Sequence, residues 1–142
     1  MVDVSAKETT RRVAHASCLI VARDAAPLER LIEGFHPVTS ARLAGIQAAK
    51  RTAELIPLCH PLALSDVRID VDEHPGGLKV RAKVVTMGRT GVEMEALTAC
   101  SFAALSLLNC LVRTDPGAHL EDLVVVQKSG GKSGDWGRAV GG

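Results

Sequence analysis

One uninterrupted helical segment constrains the fold of this chain more than any other stretch. Between Gly91 and Thr114 the sequence is GVEMEALTACSFAALSLLNCLVRT, and its apolar residues recur at steps of three and four, which is the spacing of one helix face. At about 1.5 Å per residue this helix would span roughly 30 Å, the width of a small domain. We predict a core helix whose buried face contains Val92, Ala96, Ala99, Ala103, Leu107 and Leu111.

The composition is that of one aliphatic domain without a nucleic-acid surface. The chain has 142 residues, of which 46% are hydrophobic and 23% charged, so residues 1–142 can bury a core as a single domain. Its large aromatic residues are Phe35, Phe102 and Trp136, and its net charge is +1. Base stacking needs aromatic platforms, and attraction of a polyanion needs a basic field. We therefore expect no nucleic-acid partner.

The distribution of apolar residues and cysteines points to the cytoplasm. No stretch approaches 18 apolar residues without a charge, and the first residues, MVDVSAKETTRR, are polar. Neither a transmembrane helix nor a signal peptide is therefore expected. The four cysteines form no CxxC pair, so we expect free thiols in a reducing compartment and no zinc site.

The remaining segments predict a sheet covered by helices on one face. Alternating and β-branched runs predict strands, periodic runs predict helices, and the order is β, α, α, β, β, α, β. The predicted strands are 12–24, 65–72, 78–86 and 120–127, and the predicted helices are 26–33, 39–54 and 91–114. This order favours an α+β, ferredoxin-like sandwich with an antiparallel sheet. A glycine-rich tail follows at 128–142.

The second predicted helix, 39–54, carries three more detailed expectations. Residues 35–37 are expected to connect it to the preceding helix, and Thr39 or Ser40 is placed to cap its N-terminus. Gly45, inside the helix, indicates close packing against another element. The buried face is expected to contain Leu43, Ile46 and Ala49.

Two segments contain groups suited to proton transfer. His60 lies in LIPLCHPLALS (55–65), where prolines on both sides of Cys59-His60 stiffen the backbone. A histidine so fixed is either a structural residue satisfied by a backbone carbonyl or a group for proton transfer near neutral pH. Glu93 and Glu95 stand in the first turn of the long helix, where the helix dipole favours negative charge and where they could also face a ligand.

Two further segments could bind an anion. Lys50 and Arg51 end the second predicted helix, where they either interact with the helix C-terminus or bind an anion. The segment 127–136, QKSGGKSGDW, contains Lys128 and Lys132 among glycines and serines. Glycines let consecutive N–H groups turn toward an anion, although the spacing is not that of a P-loop and no helix follows. The alternative for this segment is a flexible tail.

Together these segments resemble one family, the cyclic pyranopterin monophosphate synthases of molybdenum cofactor biosynthesis, or MoaC family. The resemblance is carried by MVDVSAK at 1–7, ARLAGIQAAKRTAELIPLCHPLALS at 41–65, RTGVEMEALTACS at 89–101 and KSGGKSGDW at 128–136. It implies a ferredoxin-like fold, a homo-oligomer of dimers assembled into a hexamer, and active sites at subunit interfaces. It also implies a lyase that converts 3′,8-cyclo-7,8-dihydroguanosine triphosphate into cyclic pyranopterin monophosphate and pyrophosphate without a cofactor.

The resemblance also assigns site residues. His60, Lys128, Glu93 and Glu95 are implied as the catalytic set, and the substrate contacts are implied at Leu58, Cys59, His60, Met94 and Glu95. By their charge, Lys50, Arg51 and Lys132 are candidate partners of the triphosphate.

The chain departs from the family at two places. The segment 34–38, GFHPV, is shorter than its family counterpart and lacks the lysine expected there. Asn109 and Val112 occupy positions where the family has an aspartate and a lysine on one helix face. Asn cannot act as a general base and Val cannot donate a proton. Two interpretations follow: a cyclic pyranopterin monophosphate synthase, or a catalytically impaired relative that binds the nucleotide or forms oligomers without efficient turnover.

Overall fold

The computed structural model describes residues 1–23, 28, 30–31 and 35–139. Within them the chain forms the predicted α+β sandwich, in which an antiparallel sheet has the strand order β2-β3-β1-β4-β5. The strands are β1 (Thr10–Val21), β2 (Leu64–His74), β3 (Gly77–Gly88), β4 (His119–Ser129) and β5 (Trp136–Gly137), and the helices are α1 (Phe35–Lys50), α2 (Thr52–Leu55) and α3 (Glu93–Leu111). The helix predicted at 26–33 lies mostly outside the described residues.

The two central strands, β1 and β3, form the floor of the core. They pair along their whole length, from Thr10 opposite Gly88 to Val21 opposite Gly77. Alternate side chains of β1 point toward the helices, because successive residues of a strand face opposite sides of the sheet. Those residues are Ala14, Ala16, Cys18 and Ile20, all at most 1% exposed. The sheet therefore has one face that is covered by helices and one open face.

Helix α3 is the core element that its sequence predicts. All six residues of the predicted buried face are at most 1% exposed, and they pack on β1 and β3 and against α1. With 19 residues and a mean hydropathy of 1.5, α3 is long and apolar enough to cross a membrane by length and composition. The core helix of a soluble protein passes the same test, and half of this apolar stretch is buried inside the fold.

Helix α1 differs from its prediction at both ends. It begins at Phe35, so Thr39 and Ser40 lie inside the helix and do not cap it. Pro37 does not prevent this start, because the first turn of a helix has no partner for its N–H groups. The helix ends at Lys50, and α2 follows as a separate short turn.

The buried face of α1 is also partly different from the prediction. Leu43 is 57% exposed, whereas Ala41, Ala48 and Ala49 are buried. Gly45 explains why the buried face of α1 is rotated about the helix axis relative to the predicted one. A Cβ at this position would lie 2.7 Å from the carbonyl oxygen of Ala99, so the glycine lets α1 approach the backbone of α3. The predicted close packing at Gly45 is therefore confirmed.

Replacing Gly45 with valine should destabilise the fold by about 2–3 kcal/mol, the usual cost of overpacking a tight contact. The free energy of unfolding in urea measures this effect. Gly88→Ala is the control, because the nearest atom to its added Cβ is at 3.5 Å, and it should change stability by less than about 1 kcal/mol. Equal effects of the two substitutions would contradict the close crossing of the helices.

Candidate active site

The segment that carries His60 is held rigidly between α2 and the sheet. The N–H of Ile56 donates to the carbonyl of Thr52 at 2.8 Å, and the Thr86 hydroxyl donates to the carbonyl of Ala63 at 2.6 Å. Between these anchors Leu58 has a φ of 67° and is 73% exposed. Bulky residues rarely adopt this left-handed conformation, and such strain concentrates at functional sites.

This segment faces the first turn of α3 across a cavity of about 300 Å³, which we call the histidine cavity. The cavity brings together residues that are far apart in the sequence but were predicted to share a site. Its lining is Val2, Leu58, Cys59, His60, Leu62, Thr90, Gly91, Glu93, Met94 and Glu95. The predicted proton-transfer residues His60, Glu93 and Glu95 therefore line one cavity.

Glu95 is the buried acid of the histidine cavity. Only 4% of it is exposed, and burial, together with the nearby charge of Glu93, raises the pKa of its carboxyl group. Burial, followed by the charge of Glu95, likewise raises the pKa of the Cys59 thiol. Both shifts favour the neutral form. The shifts extend to higher pH the range in which Glu95 keeps a proton that it can donate, and in which Cys59 stays a thiol.

A second cavity, of about 190 Å³, adjoins the first at the same helix turn; we call it the basic cavity. It shares Thr90, Gly91 and Glu93 with the histidine cavity. The rest of its lining is Lys7, Arg12, Val13, Lys128, Ser129, Gly130 and Ser133. Three cations and one carboxylate therefore surround a space next to a helix N-terminus, an arrangement that favours a multiply charged anion.

Two of the three cations of the basic cavity, Arg12 and Lys128, are held in place by defined contacts. The Lys128 ammonium donates to the Ser133 hydroxyl and lies 3.7 Å from the Glu93 carboxylate. Arg12 donates through Nε to the carbonyl of Gly88 at 3.0 Å and through Nη2 to that of Arg89 at 3.2 Å. These contacts fix the direction of both side chains.

The glycine-rich segment after Lys128 is an ordered turn between β4 and β5. Gly130 and Gly131 have φ values of 87° and 80°, and a Cβ on either would collide with residues 11 and 12. The N–H of Gly130 donates to the Asp135 carboxylate at 3.0 Å. Trp136 then pairs with Lys128 in the sheet. Of the two alternatives for this segment, the structure favours a shaped loop over a flexible tail.

Several predicted residues lie outside both cavities. Lys50 and Arg51 are exposed at the end of α1, and Lys132 is exposed in the glycine-rich turn; their role as triphosphate partners stays a prediction. Asn109 and Val112 are exposed at the far end of α3. At 1.5 Å per residue, Asn109 lies about 24 Å and Val112 about 28 Å along the helix from Glu93, so they cannot face these cavities within one chain.

Lys7, Arg12, Thr90 and Ser133 are among the lining residues that the sequence did not single out. Lys7 belongs to the MVDVSAK segment, which contributed to the family resemblance. That resemblance was the sequence signal from which its place in the cavity lining could have been predicted. Arg12 and Ser133 acquire their role through strand pairing and the glycine-rich turn. Within the described residues, no three His, Cys, Asp or Glu side chains lie together as a metal site.

Comparison with known proteins identifies the family. A family model described as the MoaC family matches residues 1–131. A protein named cyclic pyranopterin monophosphate synthase from Streptomyces coelicolor is 46% identical over 98% of this chain and 84% of its own length. A namesake from Streptomyces avermitilis has the same identity and coverage, and cyclic pyranopterin monophosphate synthase 2 from Mycobacterium bovis is 46% identical over 97% of this chain and 84% of its own length. The chain belongs to the MoaC family.

Replacing Glu95 with glutamine should stabilise the protein increasingly as the pH rises. The folded pKa of Glu95 lies above its unfolded value, so the folded state binds more protons, and wild-type stability falls as the carboxyl ionises. The two proteins should differ least near pH 4 and most above the raised pKa. Thermal denaturation from pH 4 to 8 measures this difference. The exposed Glu73→Gln is the control and should show no such trend; a parallel trend would contradict the assignment.

Proposed function

We propose that this chain is a cyclic pyranopterin monophosphate synthase, a lyase of molybdenum cofactor biosynthesis. Its substrate would be 3′,8-cyclo-7,8-dihydroguanosine triphosphate, and its products cyclic pyranopterin monophosphate and pyrophosphate. The observation that carries the proposal is the meeting of the two cavities at the first turn of α3, where Glu93 lines both. A substrate with a triphosphate at one end and a guanine-derived ring at the other needs adjoining basic and acidic subsites.

The triphosphate is assigned to the basic cavity. Lys7, Arg12 and Lys128 supply positive charge there, and the N-terminus of α3 adds a partial positive charge. Charge-assisted hydrogen bonds to phosphate oxygens are roughly twice as strong as neutral ones. Binding of the phosphates would compete for Lys128 with the Glu93 carboxylate, which lies 3.7 Å away. Substrate binding therefore releases Glu93 toward the ring.

The guanine-derived ring is assigned to the histidine cavity. Glu93, when ionised, can accept hydrogen bonds from ring N–H groups, and Glu95, when protonated, can donate to a ring carbonyl or nitrogen. His60 is the group that takes and returns a proton as the ring rearranges. The neutral Cys59 thiol and the side chains of Leu58 and Met94 provide packing against the ring plane.

Release of pyrophosphate requires one substitution at phosphorus. A hydroxyl oxygen of the sugar-derived part attacks the α-phosphorus, the bond between the α-phosphorus and the bridging oxygen breaks, and pyrophosphate departs with that oxygen. The hydroxyl proton passes to a base, for which His60 is our candidate. The cations of the basic cavity stabilise the charge that develops on the departing pyrophosphate.

A second candidate function is nucleotide binding with little turnover. It is favoured by Asn109 and Val112, which lack the carboxylate and ammonium that the family resemblance implies there, and by the segment 34–38 without a lysine. Both helix positions are exposed. Because they lie far from this chain's own cavities, they could act only in the site of a neighbouring subunit. As the family resemblance implies, we propose a homo-oligomer of dimers assembled into a hexamer; the cytoplasmic setting is proposed from the sequence composition.

The chain should bind the cyclised triphosphate yet turn it over slowly. Loss of acid–base groups usually lowers rates by about 100-fold or more, so pyrophosphate release should be about 100-fold slower than that of the Streptomyces coelicolor relative assayed in parallel. The double variant Asn109→Asp with Val112→Lys should recover part of the rate. Wild-type turnover equal to that of the relative would exclude the impaired interpretation.

Replacing His60 with alanine should remove catalysis and spare binding. We expect residual turnover to fall by about 100-fold, while the affinity for the triphosphate, measured by calorimetry, changes little because the cations of the basic cavity are intact. His74→Ala, at the exposed β2–β3 turn, is the matched control and should keep the wild-type rate. Unchanged turnover in the His60 variant would return this histidine to a structural role.

A further inference from the structure

The open face of the sheet carries a row of basic residues directly opposite one another. On the central strand β3, Lys83 pairs in register with His15 of β1 and with Arg68 of β2. His15 in turn pairs with Gln127 of β4. These four residues line a groove of about 480 Å³ on the face opposite the helices. Like charges directly opposite each other destabilise a sheet, so this row has a structural cost.

The neighbouring rows show that this arrangement is not the rule for the sheet. Lys79 and Arg81, also on β3, lie opposite Asp72 and Asp70 of β2, and the Arg81 guanidinium donates to Asp72 at 2.6 Å. Lys83 alone of the three basic residues of β3 has a cation opposite it on β2. The alternation of charge across the two strands therefore breaks at one row.

The charges of this row are only partly neutralised within the chain. Arg68 pairs with Asp66 at 3.1 Å on the same strand. Within the described ranges, no carboxylate lies within 4.0 Å of the Lys83 ammonium. Burial, followed by the charge of Lys83, lowers the pKa of the His15 imidazole. The carboxylate that lines the groove, Asp70, lies opposite Arg81.

We propose that the groove centred on His15, Lys83 and Arg68 binds a small, multiply charged phosphate anion. Lys83 and Arg68 supply charge-assisted hydrogen bonds, and the His15 ring adds a donor. A groove of this volume fits a small ligand such as a polyphosphate or a nucleotide. An anion placed between the three side chains would remove the repulsion that the row creates. The site is separate from the basic cavity, with which it shares no lining residue.

Calorimetric titration of the full chain with sodium tripolyphosphate at low ionic strength tests the proposal. The wild type should bind at two sites per chain. Lys83→Gln should lose the groove site and keep the other, whereas Lys128→Gln should weaken the basic-cavity site and keep the groove site. Arg113→Gln, an equal charge change on the exposed turn after α3, is the control and should keep both. Two intact sites in the Lys83 variant, or a single site in the wild type that Lys128→Gln removes, would overturn the proposal.

Two further measurements distinguish an anion site from a structural role. NMR titration of His15 should show that tripolyphosphate raises its pKa in the wild type and not in Lys83→Gln.

Lys83→Glu should raise the melting temperature without anion, because it restores charge alternation with Arg68, and should abolish any further increase on adding tripolyphosphate. Repeating the titration with guanosine triphosphate separates a nucleotide preference from simple polyphosphate binding. If Lys83→Glu instead changes only the oligomeric state in sedimentation, the face is an interface between copies and the proposal fails.

Discussion

The close crossing of α1 over α3 is the contact on which the rest of the structure depends. Gly45 permits it, because any larger side chain would meet the backbone of α3 at Ala99. The small residues of α3 then let the same helix sit low on β1 and β3. As a result the first turn of α3 is fixed against the sheet. Glu93 lies between the segment 56–63 and the glycine-rich turn, and Glu95 is buried on the side of the segment 56–63. The geometry of both cavities follows from this one approach of two backbones.

The elements that have strong periodic patterns could be predicted from the sequence. The face of α3, the strand order along the chain and the close packing at Gly45 all follow from residue spacing, which reports which side of an element is buried. The predicted start of α1, at residue 39, was wrong because a proline in the first helical turn looks the same in sequence as a proline in a connector. The prediction that Leu43 is buried was wrong, because the close crossing with α3 accommodates small residues and not a leucine.

The candidate site was only half visible in the sequence. His60, Glu93, Glu95 and Lys128 belong to segments with unusual composition, and the fold brings them to one helix turn. Arg12 carries no such signal, because it sits at the start of an ordinary strand and reaches the site only through the carbonyls of Gly88 and Arg89. The row at Lys83 is likewise invisible without the strand register, since its members come from separate strands.

The two edge strands of the sheet limit how copies of this chain can associate. The edge strand β2 presents Asp66, Arg68, Asp70 and Asp72 along its length, and at the other edge β5 contains only two residues. Dense charge and short length both discourage the addition of a further strand. Addition of a strand that continues the sheet into a neighbouring copy is therefore disfavoured at the β2 edge and beyond β5. Packing of helix or sheet faces, which needs no free strand edge, is the more favourable way for copies of this chain to associate.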